Sequence, residues 1–221
     1  MERSNRDRQV TCHLVTLPIG PITVSEVAAR LNDVAVRFWG GIMLLDGPQG
    51  WKDPRNGLEH SRRCERELNT PAKTGVPGCV KPANYHAFVA FSIAVFDALE
   101  CFGWKRLSSI DSPVSERTLV ESFPLSAWRS LGLRALPAKS KTRDGVIEDR
   151  ILALEQTMSV SVPRTPTHDE LQAVVAGLAG LSLYENRWFE CSVAGVPPVL
   201  IDSTWREGFI VNPQRLLRSA G

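Results

Sequence analysis

The chain has 221 residues, which suits one sizeable α/β domain or two small ones. Hydrophobic residues make up 43% of it, and the net charge of +2 neither requires nor excludes a nucleic-acid partner. Five cysteines without a Cys-x-x-Cys pair indicate reduced thiols, and they argue against a disulfide framework or a zinc site. No apolar run has membrane-spanning length and the first residues lack a signal-peptide core, so we expect a cytoplasmic protein with no membrane partner.

Hydrophobic periodicity predicts strands that alternate with helices, which favours a single α/β domain over residues 1–221. In chain order the elements are a strand at 10–16, a helix at 24–31 capped by Ser25, a buried strand at 42–46, a solvated helix at 61–68 and an apolar helix at 85–102. They continue with a strand at 118–121, helices at 124–131, 145–158 and 168–184, a hairpin of 190–193 with 199–201, and a last strand at 208–211.

Asp46 ends the apolar run at 42–46 and is followed by Gly47 and Pro48. Aspartate, glycine and proline are all good turn formers, so a turn after a buried strand explains this motif without any function. The competing interpretation is a functional carboxylate at a strand end. Gly50 and Trp51 favour it, because they keep a flexible residue and an aromatic ring beside the carboxylate.

Glu121 ends a second apolar run, directly before a helix that starts with proline. An exposed charge in front of that helix is the simpler interpretation. Because the strand before it has to be buried, we place Glu121 at a strand end, on the edge where open α/β sheets bind their ligands.

Asp169 lies in the first turn of the helix at 168–184. One face of that helix is apolar and the other carries small residues, so both faces are expected to be buried, with Asp169 in a protected place. Capping of the helix by Thr167 or by Asp169 is the alternative, since a negative charge is favoured there. His168 is a candidate general acid or base, because its pKa lies near neutrality.

Carboxylates at two strand ends and one helix start are a pattern from which divalent-metal sites are assembled. Mg²⁺ and Mn²⁺ prefer oxygen ligands, and phosphate and water complete the shell. We therefore predict that Asp46, Glu121 and Asp169 converge to within about 4–8 Å and act as catalytic metal ligands.

Basic residues follow the Glu121 segment at Lys141, Arg143 and Arg150. They are candidates for holding substrate phosphate groups, with an ordinary solvated loop as the alternative. The chain has no Walker loop, no Gly-x-Gly-x-x-Gly, no Gly-x-Ser-x-Gly and no His-Glu-x-x-His.

Several short motifs stand in a definite order between residues 40 and 212. They are the segments 44–51, 62–65 and 121–124, then Trp128, Gly132, Lys139, Lys141 and Arg150, and finally the segment 168–173. In this order they resemble the domain-of-unknown-function 429 family, whose members are predicted nucleases with a ribonuclease H-like fold. The resemblance implies three layers, with a mixed five-stranded sheet flanked by helices. It also implies an Mg²⁺ or Mn²⁺ site in which Asp46, Glu121 and Asp169 match acidic positions.

Two departures from the family pattern bear on catalysis. The family opens with an apolar strand that bears an aspartate, whereas the early acids here, Glu2 and Asp7, lie on no apolar strand. Either the first strand is missing from this sequence, which would leave the sheet with unpaired edges, or the site has lost a ligand. Gln172 stands where the last helix of the family often carries an aspartate, and a neutral amide is a poorer cation ligand.

Three functions follow from these observations. The first is a metal-dependent nuclease that hydrolyses phosphodiester bonds of nucleic acid. The second is a non-catalytic protein that binds nucleic acid or another partner and keeps the fold after losing a metal ligand. The third is a phosphotransferase or another nucleotide-handling protein, since one fold hosts many functions.

Overall fold

The computed structural model describes residues 2–3, 10–16, 22–38, 40–111, 113–162 and 164–214. Its strands are β1 (Glu2–Arg3), β2 (Val10–Thr11), β3 (Ile42–Asp46), β4 (Lys73–Thr74), β5 (Val80–Lys81), β6 (Lys105–Arg106), β7 (Thr118–Ser122), β8 (Val160–Ser161), β9 (Cys191–Ile201) and β10 (Thr204–Pro213). Its helices are α1 (Val24–Arg37), α2 (Arg63–Leu68), α3 (His86–Glu100), α4 (Pro124–Ser130), α5 (Val146–Met158) and α6 (His168–Tyr184), with 3-10 turns at Ala83–Tyr85, Lys139–Lys141 and Trp188–Glu190.

These elements confirm the predicted α/β class, and they group into two compact units. The sheet unit comprises the described residues within 17–122 and 193–211, and the helical unit comprises those within 1–16, 123–192 and 212–221. None of the helices in the described ranges has both the length and the apolar character to span a membrane. The expected single domain over the whole chain stays a prediction.

The sheet unit is built on a mixed sheet with strand order β3-β7-β10-β9, in which β6 also pairs with β7. Strands β3 and β7 are parallel, with Ile42 aligned to Thr118 and Asp46 aligned to Ser122. The two apolar runs that the sequence predicted as strands therefore lie side by side and end at the same edge. Among the described residues, β3 stands at the end of the strand order and its hydrogen-bonded neighbour is β7.

Helices α1 and α3 pack against each other and against one face of this sheet. Phe96 and Leu99 of α3 and Leu119 of β7 are fully buried there, with Met43 and Leu45 of β3 packed beside them. The alternation of side chains along β3 places those two residues on the covered face. Apolar burial between two helices and a parallel strand pair thus fixes the position of β3 and of the residue that ends it.

The hairpin of β9 and β10 differs from the prediction. The segments 190–193 and 199–201 were expected to pair with each other, but β9 runs through both of them. Pro197 and Pro198 argue against a central strand, yet they are tolerated because β9 ends the sheet order. The chain reverses at Asp202 and Ser203, with φ values of 47° and 57°, which are typical of a tight type I′ turn.

The helical unit packs α4, α5 and α6 around a core that includes Trp128, Leu154, Leu171 and Val175. The short strands β2 and β8 pair in parallel and add Val10 and Val160 to this core. The strand expected at 10–16 shortens to Val10–Thr11, while the helix expected at 168–184 is confirmed over its whole length.

Helix α1 is capped by Thr23, two residues before the predicted cap Ser25, and the cap is a capping box. The hydroxyl of Thr23 accepts a hydrogen bond from the backbone of Glu26, and the Glu26 carboxylate accepts one from the backbone of Thr23. We expect Thr23→Ala to lower the free energy of unfolding by about 1 kcal/mol. Ser25→Ala should be neutral or slightly stabilising, because Ser25 lies inside the helix, where alanine is preferred. Urea unfolding of both variants measures this, and equal losses would contradict the assignment of Thr23 as the cap.

Candidate active site at the carboxyl edge of the sheet

Asp46 is the last residue of β3, at the carboxyl edge of the parallel pair. Its side chain is exposed, whereas the next four residues are buried. Desolvation by the surrounding protein, and secondly the negative charge of Glu121, raise the pKa of Asp46 to about 6. Both observations hold together if neighbouring protein covers one side of the carboxyl group and water reaches the other side. Asp46 is therefore an accessible carboxylate that neighbouring protein partly desolvates, which suits the functional interpretation of this motif.

Gly47 lets helix α3 approach the backbone directly behind Asp46. Its φ is +138°, and a Cβ at this position would lie 2.4 Å from Ser92 Oγ and 3.1 Å from Phe88 Cζ. Any side chain would collide with the helix, so glycine is required here both for conformation and for space. The turn after β3 is consequently pressed against α3, which limits how far Asp46 can move.

Glu121 does not resemble an open ligand. It is 3% exposed, and its carboxylate accepts two hydrogen bonds of 2.7 Å from the Arg62 guanidinium and one of 3.0 Å from the Gln49 backbone. Burial raises the pKa of Glu121, and the positive charge of Arg62 opposes that rise. A cation at Glu121 would have to displace a bidentate guanidinium partner, which is the strongest kind of protein hydrogen-bond pair.

The register of the sheet also separates the two carboxylates. Leu45 aligns with Glu121, and Asp46 aligns with Ser122. Because side chains alternate along a strand, Asp46 and Glu121 leave the sheet on opposite faces. They share an edge, as predicted, but they face different surroundings.

Arg62 links the edge of the sheet to the segment that follows it. The Arg62 side chain also donates to Glu65, whose other carboxylate oxygen accepts from the backbone of Arg62 and of Thr74. The helix at 61–68 was predicted to be solvated. That prediction is wrong for Arg62 and Glu65, which are buried, because the Glu121 carboxylate lies within reach only in the folded chain.

Glu207 is buried like Glu121 and Glu65, and the sequence analysis missed it. Its carboxylate accepts hydrogen bonds from the Asp53 backbone at 3.0 Å, from Asn56 Nδ2 at 2.6 Å and from the Arg63 backbone at 2.8 Å. These bonds hold the loop between Asp53 and Arg63 against strand β10. A glutamate before glycine in a strand was the only sequence signal, and it does not distinguish this role from an exposed charge.

Asp169 lies in the helical unit, at the first turn of α6. Its side chain is 69% exposed, with Lys139 Nζ at 2.6 Å and His168 Nδ1 at 3.2 Å. The prediction of a protected Asp169 is therefore wrong, because Asp169 lies on the solvent side of the first turn, whereas His168 and Glu170 are half-buried. Thr167 caps the helix together with Glu170, so the capping role does not belong to Asp169. The predicted convergence of Asp169 with the two acids of the sheet unit stays a prediction.

The candidate phosphate-binding residues also lie in the helical unit. Lys141 and Arg143 are exposed, and Arg150 is half-buried on α5, with a buried Nε that has no hydrogen-bond partner. Their predicted role stays a prediction. Gln172, which departs from the family pattern, accepts a hydrogen bond of 2.8 Å from Trp128 Nε1. An amide at this position therefore has a structural reason of its own.

Within the described ranges, no cluster of three or more His, Cys, Asp and Glu side chains is placed to hold a metal ion. Asp46 by itself fits a cation that phosphate and water bind for the greater part, which is a common arrangement for Mg²⁺. The buried Glu121 fits such a role less well, since its carboxylate is already bound by Arg62.

No protein-family model, no curated protein and no solved structure matches this chain. The resemblance to the domain-of-unknown-function 429 family accordingly stays a prediction that depends on the order of its motifs.

The buried ion pair makes a prediction about stability. Arg62→Met should lower the free energy of unfolding by about 3–5 kcal/mol, because it leaves the buried carboxylates without their cation. Arg63→Met is the matched control, since Arg63 is exposed and bonds Glu207 through its backbone. We expect it to change stability by no more than about 0.5 kcal/mol. Urea unfolding measures both, and similar losses in the two variants would show that Arg62 is not the anchor.

The raised pKa of Asp46 predicts how stability depends on pH. The folded protein holds this proton more tightly than the unfolded chain, so ionising Asp46 costs stability. The cost is absent below about pH 4, grows between the unfolded value of 3.8 and the folded value of about 6, and is complete above that. We expect Asp46→Asn to stabilise the metal-free protein above pH 6, by about 1 kcal/mol or less, because solvent screens an exposed group.

Glu170→Gln is a control of opposite sign. Hydrogen bonds from Arg164 first, and then from the backbone of Thr167, lower the pKa of Glu170 to about 2. Its ionised form therefore stabilises the fold at neutral pH, and this contribution is lost as the pH falls through about 2. Thermal melts in EDTA across pH 4–8 should show Asp46→Asn gaining stability over the wild type as the pH rises towards 6, whereas Glu170→Gln should stay less stable than the wild type by a nearly constant amount. A flat difference for Asp46→Asn would contradict the raised pKa.

Proposed function

We propose that the protein is a metal-dependent phosphodiester hydrolase with a ribonuclease H-like fold, acting on nucleic acid with Asp46 as its reacting carboxylate. The observation that carries the proposal is the position of Asp46, which is accessible, desolvated and fixed at the carboxyl edge of a parallel strand pair. Ligands of open α/β sheets bind at that edge. The free cysteines of the described chain favour the cytoplasm as its place of action.

The protonation state of Asp46 suits this chemistry. With a pKa of about 6, the carboxyl group is mostly ionised at neutral pH, and it still holds a proton more readily than an ordinary aspartate. It can therefore bind a cation or accept a proton from an attacking water molecule. Mg²⁺ or Mn²⁺, when bound, would activate that water and neutralise charge on the phosphate.

The buried network behind Asp46 positions it. Glu121 binds the Gln49 backbone, and Gln49 Nε2 donates to the Phe209 carbonyl at 2.9 Å. The turn that follows Asp46 is thus held from two sides, by β7 and by β10. In this proposal Glu121 and Arg62 are positioning residues, and the role of Glu121 as a direct ligand is replaced by a structural one.

One observation favours a second candidate, a non-catalytic protein that keeps the fold and binds nucleic acid. The Glu121 carboxylate is already neutralised by Arg62, so fewer acids are free at this edge than a two-metal mechanism uses. Calorimetric titration with Mg²⁺ and Mn²⁺ separates the two candidates. Absence of binding at millimolar concentration would favour the second.

We expect Asp46→Asn to abolish hydrolysis of a labelled oligonucleotide in Mg²⁺ or Mn²⁺, with a loss of at least about 100-fold, because the variant removes the charge and keeps the volume. Asp33→Asn, at an exposed acid of α1, is the control and should keep full activity. EDTA should stop the wild-type reaction. Activity that survives in Asp46→Asn, or that is insensitive to EDTA, would overturn the assignment of Asp46.

A further inference from the structure

Ser122 lies beside Asp46 at the carboxyl edge of the sheet. The register of β3 and β7 aligns the two residues, and each is the last residue of its strand. Aligned residues of neighbouring strands point to the same face of a sheet, and such strands lie about 4.8 Å apart. The Asp46 carboxylate and the Ser122 hydroxyl therefore leave the sheet side by side, on the face opposite to Leu45 and Glu121.

The Ser122 hydroxyl has no hydrogen-bond partner in the parts of the chain that the structure describes, although Ser122 is only 3% exposed. Thr118, on the same face at the other end of β7, is equally buried, but its hydroxyl donates to the Ser115 carbonyl at 2.7 Å. Buried polar groups nearly always have such a partner, because leaving them unsatisfied costs free energy. The protein does not enclose the Ser122 Oγ completely, so a ligand beside Asp46 can supply the partner.

Next to this polar pair the same face of the two strands is apolar. Two residues earlier in each strand, Leu44 aligns with Val120, which is fully buried. Aliphatic side chains offer no ligand to an ion, so the ion-binding atoms at this end of the face belong to Asp46 and Ser122. Glu121 is not one of them, because it leaves the sheet on the other face, where a guanidinium already holds its carboxylate.

We propose that Asp46 and Ser122 together bind one divalent cation, Mg²⁺ or Mn²⁺, with the carboxylate as the charged ligand and the hydroxyl as the neutral one. This inference deepens the proposed function and rests on it, since it names the second residue that holds the cation of the same site. Both side chains offer the hard oxygen ligands that these ions prefer. A serine or threonine hydroxyl and a carboxylate, with phosphate oxygens, also hold Mg²⁺ in P-loop proteins.

Calorimetric titration of the full-length protein with Mg²⁺ and Mn²⁺, without any nucleic acid, measures the contribution of the hydroxyl. We expect Ser122→Ala to weaken the binding of both ions by about 10-fold, because it removes one of the two oxygen ligands. Ser122→Thr should bind them like the wild type, since it keeps the hydroxyl. Asp46→Asn should abolish binding, because it removes the negative charge of the site.

The decisive variant is Ser122→Cys, which exchanges a hard oxygen for a soft sulfur of similar size. Thiolates select soft ions, so this variant should bind Cd²⁺ more tightly and Mg²⁺ more weakly than the wild type, each by about 10-fold. A purely structural role of Ser122 would not produce a gain for one ion together with a loss for the other. The gain should also disappear when Asp46→Asn is added, because the two side chains share one ion.

Thr118→Cys is the matched control. It places a thiol on the same strand and the same face as Ser122, but four residues away, which is about 13 Å along the strand. Its affinities for Mg²⁺ and Cd²⁺ should equal those of the wild type. The exposed thiols of Cys79 and Cys101 are present in every variant, so any Cd²⁺ that they bind is a common background.

Three results would overturn the inference. The first is a wild type that binds neither Mg²⁺ nor Mn²⁺ at millimolar concentration. The second is an unchanged affinity for both ions in Ser122→Ala, and the third is a folded Ser122→Cys variant that gains no affinity for Cd²⁺. Thermal melts in EDTA accompany each titration, and the small change of volume in Ser122→Cys keeps the test valid if Ser122→Ala proves unstable.

The design also separates this inference from the function on which it rests. The titrations measure the binding of the cation, whereas the hydrolysis of a labelled oligonucleotide measures the activity. If both Asp46 and Ser122 are needed for the cation but the wild type never hydrolyses, the proposed hydrolase is wrong and the cation site stands. If hydrolysis in Mg²⁺ is the same in Ser122→Ala as in the wild type, the hydrolase stands and the inference is wrong.

Discussion

Two N–H···O bonds of 2.7 Å join the buried guanidinium of Arg62 to the buried carboxylate of Glu121, and the arrangement of the sheet edge depends on them. Both charges have left water, which is costly unless each is fully hydrogen-bonded. Glu65 and the Gln49 backbone complete that bonding. The pair therefore ties together the end of β7, the turn after β3 and the start of α2. Glu207 does the same for the following loop through backbone N–H groups, so buried acids fix the chain at Gln49, Asp53 and Arg63.

Local sequence patterns predicted those secondary-structure elements well in which apolar residues recur at regular intervals. The strand at Ile42–Asp46 and the helix at His168–Tyr184 were placed residue for residue, because apolar runs with clear end signals define them. The hairpin of β9 and β10 was missed because two prolines interrupt it. Strand β9 tolerates these prolines because it lies at the edge of the sheet. That position is a tertiary property, which a short stretch of sequence does not reveal.

The candidate site shows the same division. The position of Asp46 at a strand end followed from its sequence, whereas the roles of Glu121 and Asp169 did not. An acid that ends a buried strand looks the same in sequence whether it is open to solvent or paired with a distant arginine. Glu121 meets Arg62 across 59 residues, and Asp169 meets Lys139 across 30. Such pairings depend on tertiary distance, and a sequence states only that the charges exist.

Gly47 has a consequence for how this edge can change. It separates the carboxylate of Asp46 from the aromatic helix α3 by the width of a backbone, with Ser92 and Phe88 in contact on the helix side. A side chain at this position would meet Ser92 and the tip of the Phe88 ring, and its φ of +138° is one that residues other than glycine rarely adopt. A substitution at Gly47 would therefore disturb the end of β3 and the side chains of α3 together. Variation at this edge is expected instead at the exposed positions around it, where side chains can be exchanged without straining the backbone.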